Sequence, residues 1–142
     1  DYDSNSEVLY LKFDIKIKPG EIVLFVKFSG KISDKLRGFY KSEYTNNSGE
    51  LQYLVTTQFE PTDARRAFPC WDEPIFKAKF KIKLIIPGQL EAISNMPIEN
   101  INHINTNIKS VSFTETPIMS TYLLAFIIGD LVSIQKNPHM AL

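Results

Sequence analysis

The sequence predicts an all-β domain of largely antiparallel strands, and three observations support this prediction. Several segments alternate apolar and polar residues, which is the pattern of a strand with one buried face. Clusters of Pro, Gly and Asn separate these segments, as turns separate the strands of successive hairpins. No long stretch has the period of an amphipathic helix, and only residues 62–66 could form a single helical turn, with Thr62 as its cap.

The first half of the chain contains two predicted hairpins. Residues 7–17 alternate strictly, the Lys-Pro-Gly-Glu sequence at 18–21 is typical of a turn, and residues 22–29 repeat the strand pattern. We therefore expect the first hairpin over residues 7–29. The strands of the second are predicted at 38–44 and 51–60, because Asn-Asn-Ser-Gly-Glu lies between them.

The second half of the chain contains four more predicted strands. The clearest is residues 76–86, in which four lysines alternate with apolar residues. Such a row could bind an anion but is more often the solvated face or edge of a sheet. Short strands are predicted around 90–93 and over 110–116. Residues 121–134 are apolar without alternation, so we expect a central strand covered on both faces.

The composition predicts one domain, residues 1–142, and excludes several classes of partner. Hydrophobic residues make up 44% of the chain and aromatic residues 12%, which is enough for a core. Sixteen basic and sixteen acidic residues cancel, so we expect no nucleic-acid partner. The most apolar run, residues 122–128, is far shorter than the roughly 20 residues of a membrane-spanning helix, and no membrane segment is expected.

The few cysteine and histidine residues bear on metal and disulfide sites. Cys70 is the single cysteine, so an internal disulfide is excluded, and we predict Cys70 to be a small buried residue. His103 and His139 lie far apart in the sequence and do not form a metal-ligand motif. We expect no metal ligands in this chain.

One segment, residues 57–74, contains six charged residues, three prolines, and the only cysteine and the only tryptophan of the chain. Gln58 and Glu60 are two positions apart near the end of a predicted strand, so their side chains share one face, about 6.5–7 Å apart at their bases. An amide oxygen and a carboxylate at that spacing could converge on a primary ammonium group. The alternative is that Glu60 pairs with Arg65 or Arg66 and that Gln58 is an ordinary polar strand residue.

The rest of this segment has the composition of a rigid loop. Pro61 ends the strand because proline donates no backbone hydrogen bond. We expect apolar side chains to anchor the loop and its charged side chains to satisfy one another. The predicted anchors are Phe68, Cys70 and Trp71, and the charged residues are Asp63, Arg65, Arg66, Asp72 and Glu73.

Four ordered blocks resemble the zinc aminopeptidases of the gluzincin clan, the aminopeptidase N family. They are TQFEPTDARRAFPCWDEP at 57–74, GFYKSEY at 38–44, AISNMP at 92–97 and TPIMSTYLLAFIIGD at 116–130. The tryptophan in the first block is most similar to the puromycin-sensitive, cytosolic branch. The resemblance implies a saddle-like β-sandwich that forms the N-terminal domain of a larger enzyme, and a cytoplasmic location.

The same resemblance implies a role for the two polar residues at the strand end. Glu60 is expected to bind the free α-amino group of a peptide substrate, and Gln58 to line the pocket for its first side chain. The chain contains neither the His-Glu-x-x-His nor the Gly-Ala-Met-Glu-Asn motif of the family. We therefore expect an incomplete N-terminal domain with no catalytic residue, the catalytic domain being absent and the zinc of the parent enzyme being bound outside this chain.

Two other hypotheses remain open from the sequence. The chain could be a catalytically inactive, truncated aminopeptidase-like β-domain that acts as a binding or structural module. It could also be a β-sandwich of an adhesion or carbohydrate-binding type, although that would leave the four family-like blocks unexplained.

Overall fold

The computed structural model describes residues 1–132, which form an all-β structure as predicted. Eleven strands and two short 3-10 helices, Ala64–Arg66 and Thr121–Leu123, occur in this range. Neither of these two helices has the length and apolar character needed to cross a membrane. The strands are Tyr2–Asp3 (β1), Val8–Leu9 (β2), Gly38–Thr45 (β3), Leu51–Gln58 (β4), Lys77–Ala78 (β5), Lys83–Pro87 (β6), Glu91–Ser94 (β7), Ile98–Asn105 (β8), Ile108–Phe113 (β9), Met119–Ser120 (β10) and Phe126–Gly129 (β11).

The largest sheet has four antiparallel strands in the order β3, β4, β11, β7. The predicted hairpin of β3 and β4 is confirmed, and its strands pair over eight positions from Gly38 opposite Gln58 to Thr45 opposite Leu51. Its turn is built on Asn46, whose Oδ1 accepts hydrogen bonds from the backbone N–H groups of Ser48 at 3.0 Å and Glu50 at 2.9 Å. The side chain of one turn residue thus replaces missing backbone partners.

A second sheet of three antiparallel strands, in the order β6, β9, β8, packs against the first. Residues of β6, β7 and β9 form the first core cluster, and Ile128 of β11 packs against it. An ion pair of 2.9 Å between Lys109 of β9 and Glu91 of β7 links the two sheets at the edge of this core. The buried members of the cluster are Ile86, Ala92, Val111 and Phe113.

A second core cluster joins the segment after β4 to the large sheet. Phe59, Ala64 and Leu124 are buried there, and Phe126 of β11 packs against them. The ring centroids of Phe59 and Phe126 are 6.2 Å apart in an edge-to-face arrangement, which is favourable for aromatic pairs. The loop that follows β4 is therefore part of a core and not a loose connection.

The first predicted hairpin, over residues 7–29, is wrong. Only β2 forms, paired with β1, and residues 11–32 contain no strand. Their apolar side chains stay exposed, as Val23 at 95% and Phe25 at 88% illustrate. Alternation of apolar and polar residues predicts one apolar face if the segment is extended. A stable strand also needs a hydrogen-bonded neighbouring strand and a second apolar surface that packs against this face.

Residues 76–86 do not form the continuous strand that alternation predicts. β5 pairs with β10 and β6 pairs with β9, so the chain changes sheets between residues 79 and 82. At this break the Phe80 N–H donates to Thr116 Oγ1 at 2.9 Å. Lys79 and Lys81 pair with Glu115 and Glu99 at the surface, in agreement with a solvated row of lysines.

The remaining strand predictions are partly confirmed. Strands occur as β7 and β9 where short ones were expected, and β11 is central because it pairs with β4 on one side and β7 on the other. The central strand is shorter than predicted, since Thr121–Leu123 is a 3-10 helix, and residues 133–134 lie outside the described range. β8 was not predicted, because its sequence is mostly Asn and Ile and every residue in it is exposed.

Candidate functional site

The end of β4 presents two exposed polar side chains on either side of a buried one. Gln58 is the last residue of β4, Phe59 is 2% exposed in the second core cluster, and Glu60 is exposed again. The alternation of the strand therefore continues for two residues past its last hydrogen-bonded pair. Both the amide and the carboxylate are therefore exposed to solvent at the end of an interior strand of the four-stranded sheet.

The alternative pairing of Glu60 with a neighbouring arginine does not occur. Arg65 binds Asp72, with 3.1 Å between Nε and Oδ2, and Arg66 binds Asp63, with 2.6 Å between Nε and Oδ1. Within residues 1–132 the Glu60 carboxylate makes neither an ion pair nor a hydrogen bond. Among the described residues, no donor therefore binds either of its two acceptor oxygens.

Asp63 closes the turn that carries Glu60. Its backbone N–H donates to the Phe59 carbonyl at 2.8 Å. This hydrogen bond joins the residue before Glu60 to the residue three positions after it. The Glu60–Pro61 peptide bond inside this turn is cis. The following 3-10 helix begins after Asp63, not at Thr62, and no side chain caps it. The predicted Thr62 cap is therefore wrong, although the predicted helical turn is present.

The Asp63 carboxylate is held by two arginines. It accepts hydrogen bonds from Arg37 Nη2 at 2.8 Å and Nε at 3.1 Å, and from Arg66 Nε at 2.6 Å. The side chain of Asp63 is 7% exposed. Hydrogen bonding to Arg37, and then to Arg66, lowers the pKa of Asp63 below its usual value against the opposing effect of burial. We call Arg37, Asp63 and Arg66 the Asp63 clamp.

Asp72 ties the other end of the loop to a different part of the fold. It accepts hydrogen bonds from the Arg65 backbone N–H at 2.9 Å and from Thr121 Oγ1 at 2.7 Å. Thr121 begins the second 3-10 helix, next to the central strand β11. The sequence indicated that the charged residues of the loop would satisfy one another. It gave no signal for Arg37 or Thr121, which lie 26 and 49 positions from their partners.

The apolar anchor of the loop is smaller than predicted. Phe68 and Cys70 pack against the second core cluster, but Trp71 is 72% exposed, so the prediction for Trp71 is wrong. Cys70 is only partly buried, and burial raises the pKa of its thiol to about 12. The thiol therefore stays protonated at neutral pH and is a poor nucleophile and a poor metal ligand.

The described residues do not provide a zinc site. Over residues 1–132 no three His, Cys, Asp or Glu side chains lie close enough together to hold a metal ion. His103 is exposed on β8, and His139 lies outside the described range. Two cavities of about 590 and 700 Å³ flank the loop at residues 65–73, but neither is lined by Gln58 or Glu60. The end of β4 lies outside these two cavities, and its Gln58 and Glu60 are exposed.

Comparison with known proteins identifies a domain family that matches most of the chain. Residues 1–123 match the Peptidase M1 N-terminal domain. Aminopeptidase M1 of Arabidopsis thaliana is 52% identical over 123 residues, which is 87% of this chain and 14% of that protein. Aminopeptidase 2 of Candida albicans is 45% identical over 139 residues, 97% of this chain and 15% of that protein.

A relative from the branch predicted by the resemblance also matches. The puromycin-sensitive aminopeptidase of Caenorhabditis elegans is 43% identical over 131 residues, 92% of this chain and 14% of that protein. The chain thus spans between 14% and 15% of the length of these three relatives. With most of its residues matched, the chain belongs to the Peptidase M1 N-terminal domain family.

Proposed function

We propose that this chain is a portion of a zinc metalloaminopeptidase, which removes N-terminal amino acids from peptides, and that Gln58 and Glu60 contribute its substrate α-amine anchor. Family membership and the names of the relatives support the aminopeptidase part. The observation that carries the anchor is the Glu60 carboxylate, which is exposed and unpaired among residues 1–132 although two arginines lie within six positions of it.

The chemistry of the two side chains suits a peptide N-terminus. A protonated α-amine has three N–H donors and a positive charge, so it is bound best by a carboxylate together with a neutral acceptor. Glu60 supplies the carboxylate and Gln58 supplies the amide oxygen and one wall of the pocket for the first side chain. An N-acetylated peptide lacks the charge, which makes this pair a selector for free N-termini.

The remaining parts of the enzyme lie outside the described residues in this proposal. Residues 1–132 hold no cluster of metal ligands, so we propose that zinc is bound outside this chain and that no catalytic step belongs to residues 1–132. The exposed end of β4 then forms one side of a site that another domain completes. A cytoplasmic location, as in the puromycin-sensitive branch, is part of the same proposal.

A second candidate function is an inactive domain that serves as a binding or structural module. Residues 11–32 favour it, because they expose a series of apolar side chains without forming a strand. Contiguous exposed apolar surface is typical of interaction sites. This module would not need a free carboxylate at position 60, and that difference separates the two candidates.

The test is a chimera in which this chain replaces the matching segment of the Arabidopsis thaliana aminopeptidase M1. We expect it to release the fluorophore of an aminoacyl-coumarin substrate. In the chimera, Glu60→Ala should lower kcat/KM about ten- to hundredfold, which corresponds to about 1.5–3 kcal/mol for a charged hydrogen bond. Steady-state kinetics at several substrate concentrations measures the change.

The matched control is Glu43→Ala, since Glu43 is also exposed and lies on the neighbouring strand β3. We expect the control to leave kcat/KM within about twofold. An unchanged value for Glu60→Ala would contradict the anchor. A chimera that is folded by circular dichroism but hydrolyses no substrate would contradict the aminopeptidase proposal and favour the binding module.

A further inference from the structure

We infer that Asp63 is a positioning residue for the amine anchor and fixes the direction of Glu60 through the Asp63 clamp. The inference rests on the proposed function, because it assumes that Glu60 binds substrate. Neither the sequence motif nor the comparison with relatives assigns a role to Asp63. Three features of the structure connect Asp63 with Gln58 and Glu60.

The first feature is the backbone of the turn. Glu60 lies between Phe59, whose side chain is 2% exposed, and Asp63, whose N–H donates to the Phe59 carbonyl at 2.8 Å. One end of the turn is therefore anchored in the second core cluster. The other end is held by Ala64, which is buried in the same cluster, and by the partners of the Asp63 carboxylate. The contacts of Asp63 therefore fix the direction of the backbone that carries Glu60.

The second feature is the link to the strand beside Gln58. Gly38 is the cross-strand partner of Gln58, and Arg37, the residue before it, donates hydrogen bonds from Nε and Nη2 to the Asp63 carboxylate. A bidentate arginine–carboxylate contact restricts both distance and angle. The Asp63 clamp therefore ties the start of β3 to the end of the turn and encloses both proposed anchor residues.

The third feature is the close packing of Arg66 on Gly38. A Cβ atom at position 38 would lie 2.9 Å from Arg66 Cβ, and Gly38 has a φ of +72°, which favours glycine. Glycine at this position lets Arg66 pack on the backbone opposite Gln58 while its Nε donates to Asp63 Oδ1. Arg37 Nη2 donates to the same oxygen, so both arginines hold this carboxylate.

Loss of the Asp63 charge should loosen the turn without unfolding the domain. The side chains of Arg37 and Arg66 are 53% and 39% exposed, so water can solvate both when Asp63 is neutral. Arg66 also keeps Glu7 as a partner at 3.1 Å. No buried, unpaired charge remains, which is the condition that makes the removal of one partner severely destabilising.

The test is a double-mutant cycle in the same chimera with Glu60→Ala, Asp63→Asn and the double variant. We expect Asp63→Asn alone to lower kcat/KM several-fold, and to cause no further loss in the Glu60→Ala background. Residues that act through one another give non-additive effects, whereas independent structural damage multiplies. The matched control is Asp72→Asn, which neutralises a buried carboxylate of the same loop that is bonded to Arg65 and Thr121 instead. Asp72→Asn should change kcat/KM by the same factor in the unmodified and the Glu60→Ala backgrounds.

The outcomes separate the inference from the proposed function. If Glu60→Ala has no effect, the amine anchor is wrong. If Glu60→Ala has its expected effect and Asp63→Asn lowers kcat/KM by the same factor in both backgrounds, the anchor stands and the positioning role is wrong. Should Asp63→Asn fail to fold, Arg37→Gln takes its place in the cycle with the same expected pattern and a smaller effect.

A measurement on this chain alone tests the geometry without enzymatic activity. Amide hydrogen exchange by NMR should show faster exchange at residue 63 in Asp63→Asn and Arg37→Gln than in the unmodified chain, because the N–H bond to Phe59 opens more often. Asp72→Asn should leave this amide within about twofold. Equal exchange at residue 63 in all four proteins would overturn the inference.

Discussion

Asp63 and Asp72 show how two aspartates of one loop acquire different roles from their partners. Both are buried, and each binds an arginine of the same loop, Asp63 with Arg66 and Asp72 with Arg65. Their second partners come from distant segments and attach the two ends of the loop to β3 and to the second 3-10 helix. The sequence predicted that the charged residues of the loop would satisfy one another, but it could not predict the partners from distant segments.

The depressed pKa of Asp63 predicts a dependence of stability on pH. Because its pKa is lower in the folded than in the unfolded chain, the carboxylate stabilises the fold at pH values above its unfolded pKa, near 3.8. This contribution is lost as the pH falls through the folded pKa. We expect the urea-unfolding free energy of the 142-residue chain to decrease between about pH 5 and pH 2.

Asp63→Asn provides the control for this pH dependence, because asparagine does not titrate. Between about pH 5 and pH 2, the unfolding free energy should decrease less in the variant than in the unmodified chain. Identical profiles for Asp63→Asn and the unmodified chain would show that the clamp contributes no pH-dependent stability.

At the scale of elements, alternation predicted strands well where the pairing partner is close in sequence. β3 and β4 are joined by a five-residue turn with a strong Asn signal, and both were predicted nearly to their ends. Residues 7–29 alternate just as clearly but form only β2. The difference is that periodicity specifies which side chains share a face, whereas strand formation also requires a paired neighbour.

Residues 11–32 are therefore expected to be the first site of proteolysis. Their backbone is not part of a sheet, and aromatic side chains such as Phe25, which is 88% exposed, are accessible to chymotrypsin. Limited digestion followed by mass spectrometry should show initial cleavage in this range. Cleavage within β3 or β4 should come later, and the reverse order would show that residues 11–32 are protected by contacts the fold does not explain.

At the scale of the whole molecule, two core clusters stabilise different parts of the fold. The first joins the two sheets, and the second fixes the loop after β4 on the large sheet. The exposed end of β4 is thus rigid and open at the same time. This combination suits a domain that contributes a recognition group to a site completed elsewhere, which is the role proposed for Gln58 and Glu60.

The isolated 142-residue chain is expected to have no aminopeptidase activity. The described residues bring together no set of metal ligands, and the proposed anchor binds an amine without acting on a peptide bond. An aminoacyl-coumarin assay of the purified chain, with and without added zinc, should show no release of fluorophore. Metal-dependent turnover that follows the chain through a further chromatographic step would contradict the division of roles proposed above.

The sequence by itself determined the all-β class, the second hairpin and the pattern in which Gln58 and Glu60 are exposed around a buried Phe59. These follow from the two-residue period of a strand, which is a property of neighbouring residues. Only the tertiary structure decided that Glu60 has no ion-pair partner within residues 1–132, because Arg65 and Arg66 bind aspartates instead. It also brought Arg37 to Asp63, since such contacts depend on which distant strands pair and pack, and no local pattern records that choice.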